Sequence, residues 1–283
     1  MSKEYKAYET VINSFTNPFR LFEFYGKLPI KGNREYNEAL RIFQEWSHAS
    51  IKKKLEKKQG DANTDLLDLM VQSNSDSALS TTELLHNIFL FFLAGHETTS
   101  GTLTSVLYFL SRHPDVQDKA REEVISLFGK SEPSFDDIKS LQYLNQVINE
   151  ASRLLGPVPG VSRLAKEDCT LDGYFIPKGT FVICSFSNTH HDPEIWGEDV
   201  NQFNPDRWTP ERVKERPNNS FNPFGAGARI CLGQSFANLE MRMTLIKLLQ
   251  KFKFGISTPE FIIPRAITVR PQPGFLLSIS KLD

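Results

Sequence analysis

A thiol set for chemistry lies in Phe221-Asn222-Pro223-Phe224-Gly225-Ala226-Gly227-Ala228-Arg229-Ile230-Cys231-Leu232-Gly233. Residues 234–249 combine strong helix formers with apolar positions at three- and four-residue spacing, so a helix begins just after Cys231 and carries it on its first turn. Its free N–H groups and positive dipole end favour a sulfur anion. Gly225, Gly227 and Gly233 let backbone approach a flat ligand closely, and Arg229 can meet a carboxylate at the ligand's edge. A free cysteine is more often a small buried hydrophobe. The spacing Phe-x-x-Gly-x-Arg-x-Cys-x-Gly, followed by Ala237, favours the reactive reading.

A second cluster, Ala94-Gly95-His96-Glu97-Thr98-Thr99, interrupts an apolar run that begins at Ile88. Thr98 can bond back to the carbonyl of Ala94 and loosen the helix there, leaving a groove for a water or dioxygen. An acid next to an alcohol beside such a groove is a proton-delivery arrangement. The competing reading has Thr98 and Thr99 satisfying backbone groups while Glu97 faces solvent. Zinc-protease chemistry is excluded, because four residues beyond His96 stands Ser100 and not a second histidine. A third group is Glu150-Ala151-Ser152-Arg153, an acid and an arginine on one helix face, which alone reads as a surface ion pair of little worth. His190 and His191, before Asp192-Pro193, read as surface or loop histidines.

The elements that must position these groups follow from pattern. Ser80-Thr81-Thr82-Glu83 is a capping box, and a proline-free helical pattern runs from it to Arg112, ended by His113-Pro114. Such a helix spans roughly 48 Å and crosses a domain. Gly95 in its middle costs about 1 kcal/mol relative to alanine, which implies a packing or functional reason. Helices are also expected over Glu38–Lys58, stopped by Gly60, over Asp65–Val71, over Pro114–Phe128 with Gly129 beyond, and over Gln142–Leu155, closed by Gly156-Pro157. Between Tyr5 and Phe43, turn formers such as Asn17-Pro18 and Lys31-Gly32-Asn33 suggest two helices around an irregular segment, and Gln72–Ser77 reads as a polar loop. Val158–Ser187, with turns at Asp172-Gly173 and Pro177-Lys178-Gly179, reads as a small antiparallel sheet, and Ile262–Ile279 as a hairpin around Pro271–Gly274. The fold class is therefore mainly α with a small antiparallel β region.

Composition bounds the rest. The 283 residues are 40% hydrophobic and 24% charged, enough for one large core or two smaller ones. A net charge of -1 offers no general field for nucleic acid or anionic membranes. Cys169, Cys184 and Cys231 are widely spaced, with no Cys-x-x-Cys, which argues against a disulfide framework or a zinc site. The longest apolar run, Ile88–Ala94, is far shorter than the roughly 20 residues of a membrane-spanning helix, and the N-terminus is not a signal peptide. As written, the chain is soluble or peripheral and suited to a reducing compartment.

The cysteine motif, with Ala-Gly-x-Glu-Thr-Thr, Glu-x-x-Arg and Phe203-Asn204-Pro205-Asp206-Arg207-Trp208 in order, resembles the cytochrome P450 family over nearly the whole chain. Asp206 and Trp208 replace a commoner Glu and Phe. The resemblance implies a partial, N-terminally truncated P450-like domain over 1–283. Its helical part is 1–155, with the distal helix at about 81–112; 156–283 hold the β region, the haem-binding loop 221–233 and the following helix. It implies haem b held by Cys231 as iron ligand, with Arg229 and Arg163 on the propionates and Phe224, Gly227, Gly233, Ala94 and Gly95 bordering the haem. Glu97 and Thr98 would relay protons, while Glu150, Arg153 and Arg207 would form a buried network holding the cysteine loop. The implied activity is monooxygenation of a small lipophilic substrate by O2, with NADPH electrons from cytochrome P450 reductase, by a monomer that binds no nucleic acid. Location at the cytosolic face of the endoplasmic reticulum would follow if the full-length protein carries an N-terminal anchor. The alternative is a truncated, inactive relative that binds only haem or a protein partner.

Overall fold

The computed structural model describes residues 2–14, 17–56, 65–75, 80–256 and 274–282. Two compact units are present, Met1–Ala94 and Gly95–Asp283. In the first, α1 (Lys3–Ser14), α2 (Glu23–Lys27), α3 (Lys31–Leu55) and α4 (Leu66–Ser75) accompany the first part of α5 (Thr81–Arg112). Ala39, Phe43, Ser47 and Ile51 recur every fourth residue on α3 and are all buried, forming one stripe along the helix. Ala39 packs with Ala7 and Val11 of α1, and Ile51 with Val71, Leu84 and Ile88. Phe43 meets Phe89 edge to face at 5.1 Å.

Two expectations in this unit are corrected. The third helix starts at Lys31 and not at Glu38, so Lys31-Gly32-Asn33 lies in its first turn. The N–H groups that open a helix have no carbonyl four residues back inside it, which makes turn formers cheap at this place. Asn33 also anchors the entry by donating to the carbonyl of Leu28 at 3.0 Å. The fourth helix continues through Gln72–Ser75, where a loop was expected. Gly60 and residues 76–79 lie outside the described residues.

The capping box of α5 is formed: Glu83 N–H donates to Ser80 Oγ at 3.2 Å and Ser80 N–H to Glu83 Oε2 at 2.8 Å. The second unit contains the remainder of α5, α6 (Pro114–Phe128) and α7 (Tyr143–Leu155), followed by β1 (Gly160–Leu164), β2 (Cys169–Leu171), β3 (Tyr174–Ile176) and β4 (Phe181–Ser185). Short helices α8 (Phe186–His190), α9 (Pro193–Trp196) and α10 (Pro210–Glu215) lead to α11 (Gln234–Lys251), β5 (Phe252–Ile256) and β6 (Leu277–Lys281). The strands form three antiparallel pairs, β1 with β4, β2 with β3 and β5 with β6. The β2–β3 turn uses Asp172 and Gly173, both at positive φ (48° and 80°), as a tight Asp-Gly hairpin demands. The expected C-terminal hairpin lies mostly outside the described residues; Leu277–Lys281 instead pairs with Phe252–Ile256.

The core of this unit joins α5, α6, α7 and α11 through Val106, Leu110, Ala120, Leu144, Val147 and Leu245, each fully buried. Burying one such aliphatic side chain contributes about 1.5–3 kcal/mol. Phe224 and Ala237 pack on the edge of this cluster and so tie the cysteine loop to the core. Among the described residues, no helix is long and apolar enough to cross a membrane.

Candidate functional site

The cysteine loop folds back on itself before α11 begins. Gly225 N–H donates to the Asn222 carbonyl at 3.0 Å, and Gly225 and Gly227 take φ of 76° and 69°, where side-chain-bearing residues are strained. Cys231 N–H then donates to the Phe224 carbonyl at 2.9 Å. Cys231 therefore sits in a turn and not on the helix itself, which starts at Gln234 with Gly233 as N-cap. A Cβ added at Gly233 would stand 3.9 Å from the thiol sulfur.

The thiol borders a cavity of about 470 Å³ in the second unit. Thr98, Thr99 and Thr102 of α5 enter its wall, together with Arg229, Phe224 and Asn222 of the loop. The β1–β4 pair supplies Val161, Arg163 and Cys184. Cross-strand register explains this choice: Val161 faces Cys184 and Arg163 faces Val182, so one sheet face carries them and the opposite face carries Leu164, Phe181 and Ile183. Arg163 Nη1 donates to the Ser162 carbonyl at 2.8 Å.

Several of the expected site residues do not line this cavity. Glu97 is buried, not solvent-facing, with Oε1 3.5 Å from His96 Nδ1. Gly227 and Gly233 shape the cysteine turn and do not form the cavity wall. Ala94 and Gly95 are exposed on α5, and a Cβ at Gly95 would meet nothing within 4 Å, so packing does not explain this glycine. Hydroxyls in the following turns bond back along the helix: Thr102 to the Thr98 carbonyl at 3.1 Å and Thr104 to that of Ser100 at 2.7 Å. Ser105 reaches further, to the Leu155 carbonyl at 2.7 Å, and ties α5 to the end of α7.

Behind the loop, Glu150 is fully buried and every contact to it is a donor. Arg153 approaches it through Nε at 2.9 Å and Nη2 at 2.8 Å, Trp208 Nε1 at 2.9 Å and Asn204 N–H at 3.1 Å. Arg207 Nε lies 3.3 Å away, and its Nη1 donates to the Trp196 carbonyl at 2.7 Å. The pair that read as a surface contact is thus a buried cluster, enclosed by Trp196 and Trp208. Arg207 also lowers the pKa of Asp199, chiefly by hydrogen bonding to its carboxylate.

His190, expected at the surface, is buried at the end of α8. Enclosure by aromatic neighbours lowers its pKa to about 4, with His191 and Arg153 adding repulsion. The sequence carried no sign of this, since Asp192-Pro193 marks only a turn. The donor set around the cavity, the Cys231 thiol on the loop side and the Cys184 thiol on the sheet side, two guanidiniums and three threonine hydroxyls among apolar walls, fits a flat macrocycle with a soft metal centre and carboxylate edges.

Known proteins share this architecture. A family model described as cytochrome P450 matches residues 2–279. The chain is similar to secologanin synthase 1 of Catharanthus roseus, at 34% identity over 270 residues, covering 90% of this chain and 52% of the relative. It is similar also to 7-deoxyloganic acid hydroxylase of the same plant, at 39% over 220 residues, covering 77% of this chain and 42% of the relative. The chain thus spans about half the length of the curated relatives it matches. The crystal structure of a cytochrome P450 (CYP102L1) superposes with a TM-score of 0.88 at 26% identity, over 99% of this chain and 65% of that one. A cytochrome P450DA heme domain gives 0.83 at 26% identity, over 100% and 60%. With the cysteine turn, the threonine-lined α5 and a family match over nearly its whole length, the chain belongs to the cytochrome P450 family.

Proposed function

We propose that this chain carries the distal helix and the cysteine loop of a haem-thiolate monooxygenase. In this reading the whole protein uses O2 to insert one oxygen atom into a small lipophilic substrate, with NADPH electrons delivered by cytochrome P450 reductase. The observation that carries it is the meeting of Cys231, Arg163, Arg229 and the α5 threonines around one cavity. The similarity to 7-deoxyloganic acid hydroxylase, a hydroxylating enzyme by name, supports oxygen insertion as the reaction class. An anchored full-length protein would meet its reductase at the cytosolic face of the endoplasmic reticulum.

Cys231 would hold the haem iron through its sulfur, and Arg163 and Arg229 would meet the propionates as charge-assisted partners. When bound, haem supplies the reductive activation of dioxygen, and a thiolate ligand favours O–O cleavage. The chain's own residues do the remainder. Val158, Val161 and Phe224 make an apolar wall that takes a lipophilic molecule and keeps out bulk water. Glu97 is buried beside His96 and next in sequence to Thr98 and Thr99 of the cavity wall, and this acid and these hydroxyls relay protons to the site.

The test is the carbon-monoxide difference spectrum of the reduced chain expressed with haem supply. A thiolate-type Soret band is expected, and Cys231→Ser should abolish it while helix content stays. Haem bound with the same band in Cys231→Ser would overturn the assignment of the ligand. Absence of any haem band in the parent chain would favour a protein-binding relative without catalysis.

A further inference from the structure

His190 links two structures that are otherwise separate in the chain. Its carbonyl oxygen accepts Arg153 Nη1 at 2.7 Å, which joins it to the Glu150 cluster. Its ring nitrogen Nε2 receives the N–H of Asn222 at 3.2 Å, which joins it to the entry of the cysteine loop. The ring lies 5.1 Å from Phe221, and the residue is 5% exposed. Asn222 is itself part of the cavity wall, and its carbonyl starts the turn that runs through Gly225 to Cys231.

We infer that His190 is a positioning residue for the cysteine loop: its Nε2 holds the Asn222 backbone, and this bond makes the seat of the loop sensitive to acid. An acceptor at Nε2 requires the neutral ring with its proton on Nδ1. Protonation would turn the acceptor into a second N–H aimed at the Asn222 N–H. The groups facing the ring give no relief, since His191 and Arg153 add positive charge and the Glu150 carboxylate is committed to Arg153 and Arg207. Burial holds the folded pKa near 4 against an ordinary value of 6.5. The unfolded or opened state therefore takes up the proton first, so the bond's contribution is complete above about pH 6.5 and is lost as pH falls toward 4. The inference rests on the haem-thiolate reading only where haem retention is concerned.

The test follows hydrogen exchange of the Asn222 amide, the donor of this bond, by nuclear magnetic resonance of the full chain between pH 5 and 7.5, for the parent and for His190→Gln, whose amide oxygen can accept the same N–H without titrating. Comparing the two at each pH cancels the intrinsic pH dependence of exchange. Equal rates are expected at pH 7.5, with the parent about tenfold faster at pH 5, the scale set by one lost buried hydrogen bond. In His190→Leu the amide should exchange about tenfold faster already at pH 7.5, with unchanged far-ultraviolet circular dichroism. A rate ratio constant across the pH range would overturn the inference, even if His190→Leu does not fold. In haem-loaded protein the thiolate spectrum should fade over the same pH window in the parent and persist in His190→Gln. Failure of both proteins to take up haem would count against the haem reading alone, because exchange at Asn222 reports on the bond directly.

Discussion

Glu150 is the residue on which most of the buried charge depends. Its carboxylate is fully enclosed, and two guanidiniums, an indole N–H and a backbone N–H all point at it. An enclosed ion pair gives little net stability when complete, but removing one member strands the others. Glu150→Gln, which keeps the shape and deletes the charge, should therefore cost about 3–5 kcal/mol. Urea denaturation would show this as a lowered midpoint with an unchanged slope; a loss below about 1 kcal/mol would mean that Arg153 and Arg207 find solvent instead. These residues were legible in the sequence only through the family resemblance, since the spacing of Glu150 and Arg153 alone read as a surface pair. His190 was not, because its environment is made by Phe221, far along the chain, and by the carbonyl-to-arginine contact of its own backbone.

At the scale of elements, α7 owes its start to a side chain from another helix. Gln142 at its N-cap makes no side-chain cap bond. Glu123 of α6 takes over, with Oε1 accepting the N–H groups of Gln142 at 2.7 Å and Tyr143 at 2.8 Å, and Oε2 that of Leu144 at 2.8 Å. An anion at a helix N-terminus satisfies free donors and complements the dipole. Glu123→Ala should destabilise the second unit by about 1–2 kcal/mol, and Glu123→Gln by less, as read by thermal or urea unfolding. Equal stability of parent and alanine variant would show that water replaces the carboxylate without loss. Element boundaries were legible where a cap is written locally, as at Ser80 and Glu83 of α5. They were misread where a first turn tolerates Gly32 and Asn33, or where the polar run Gln72–Ser75 keeps to the helix. The strand β5 did have a signal, the alternation Phe252-Lys253-Phe254, but it follows α11 without a turn residue between them.

At the scale of the whole molecule, the β1–β4 pair divides its two faces between different tasks. One face gives Val161, Arg163 and Cys184 to the cavity. The other presents Leu164, Phe181 and Ile183, which are 62%, 64% and 67% exposed. Large apolar side chains grouped on one face and left in water mark a surface with affinity for apolar matter. Leu232 and Phe236, at 85% and 69%, add a second exposed pair beside the cysteine turn. The native chain should therefore enhance the fluorescence of an apolar dye such as anilinonaphthalene sulfonate at neutral pH, without being unfolded. Phe181→Ser with Ile183→Ser should lower that signal by about half or more, and should cost only about 1–2 kcal/mol, because neither side chain is buried and only strand propensity is lost. Alkylation of Cys231 should be unchanged in the same variant, since period-two alternation keeps the substituted face away from the cavity. A large rise in alkylation would show instead that the outer face of this two-stranded pair holds the inner one in place.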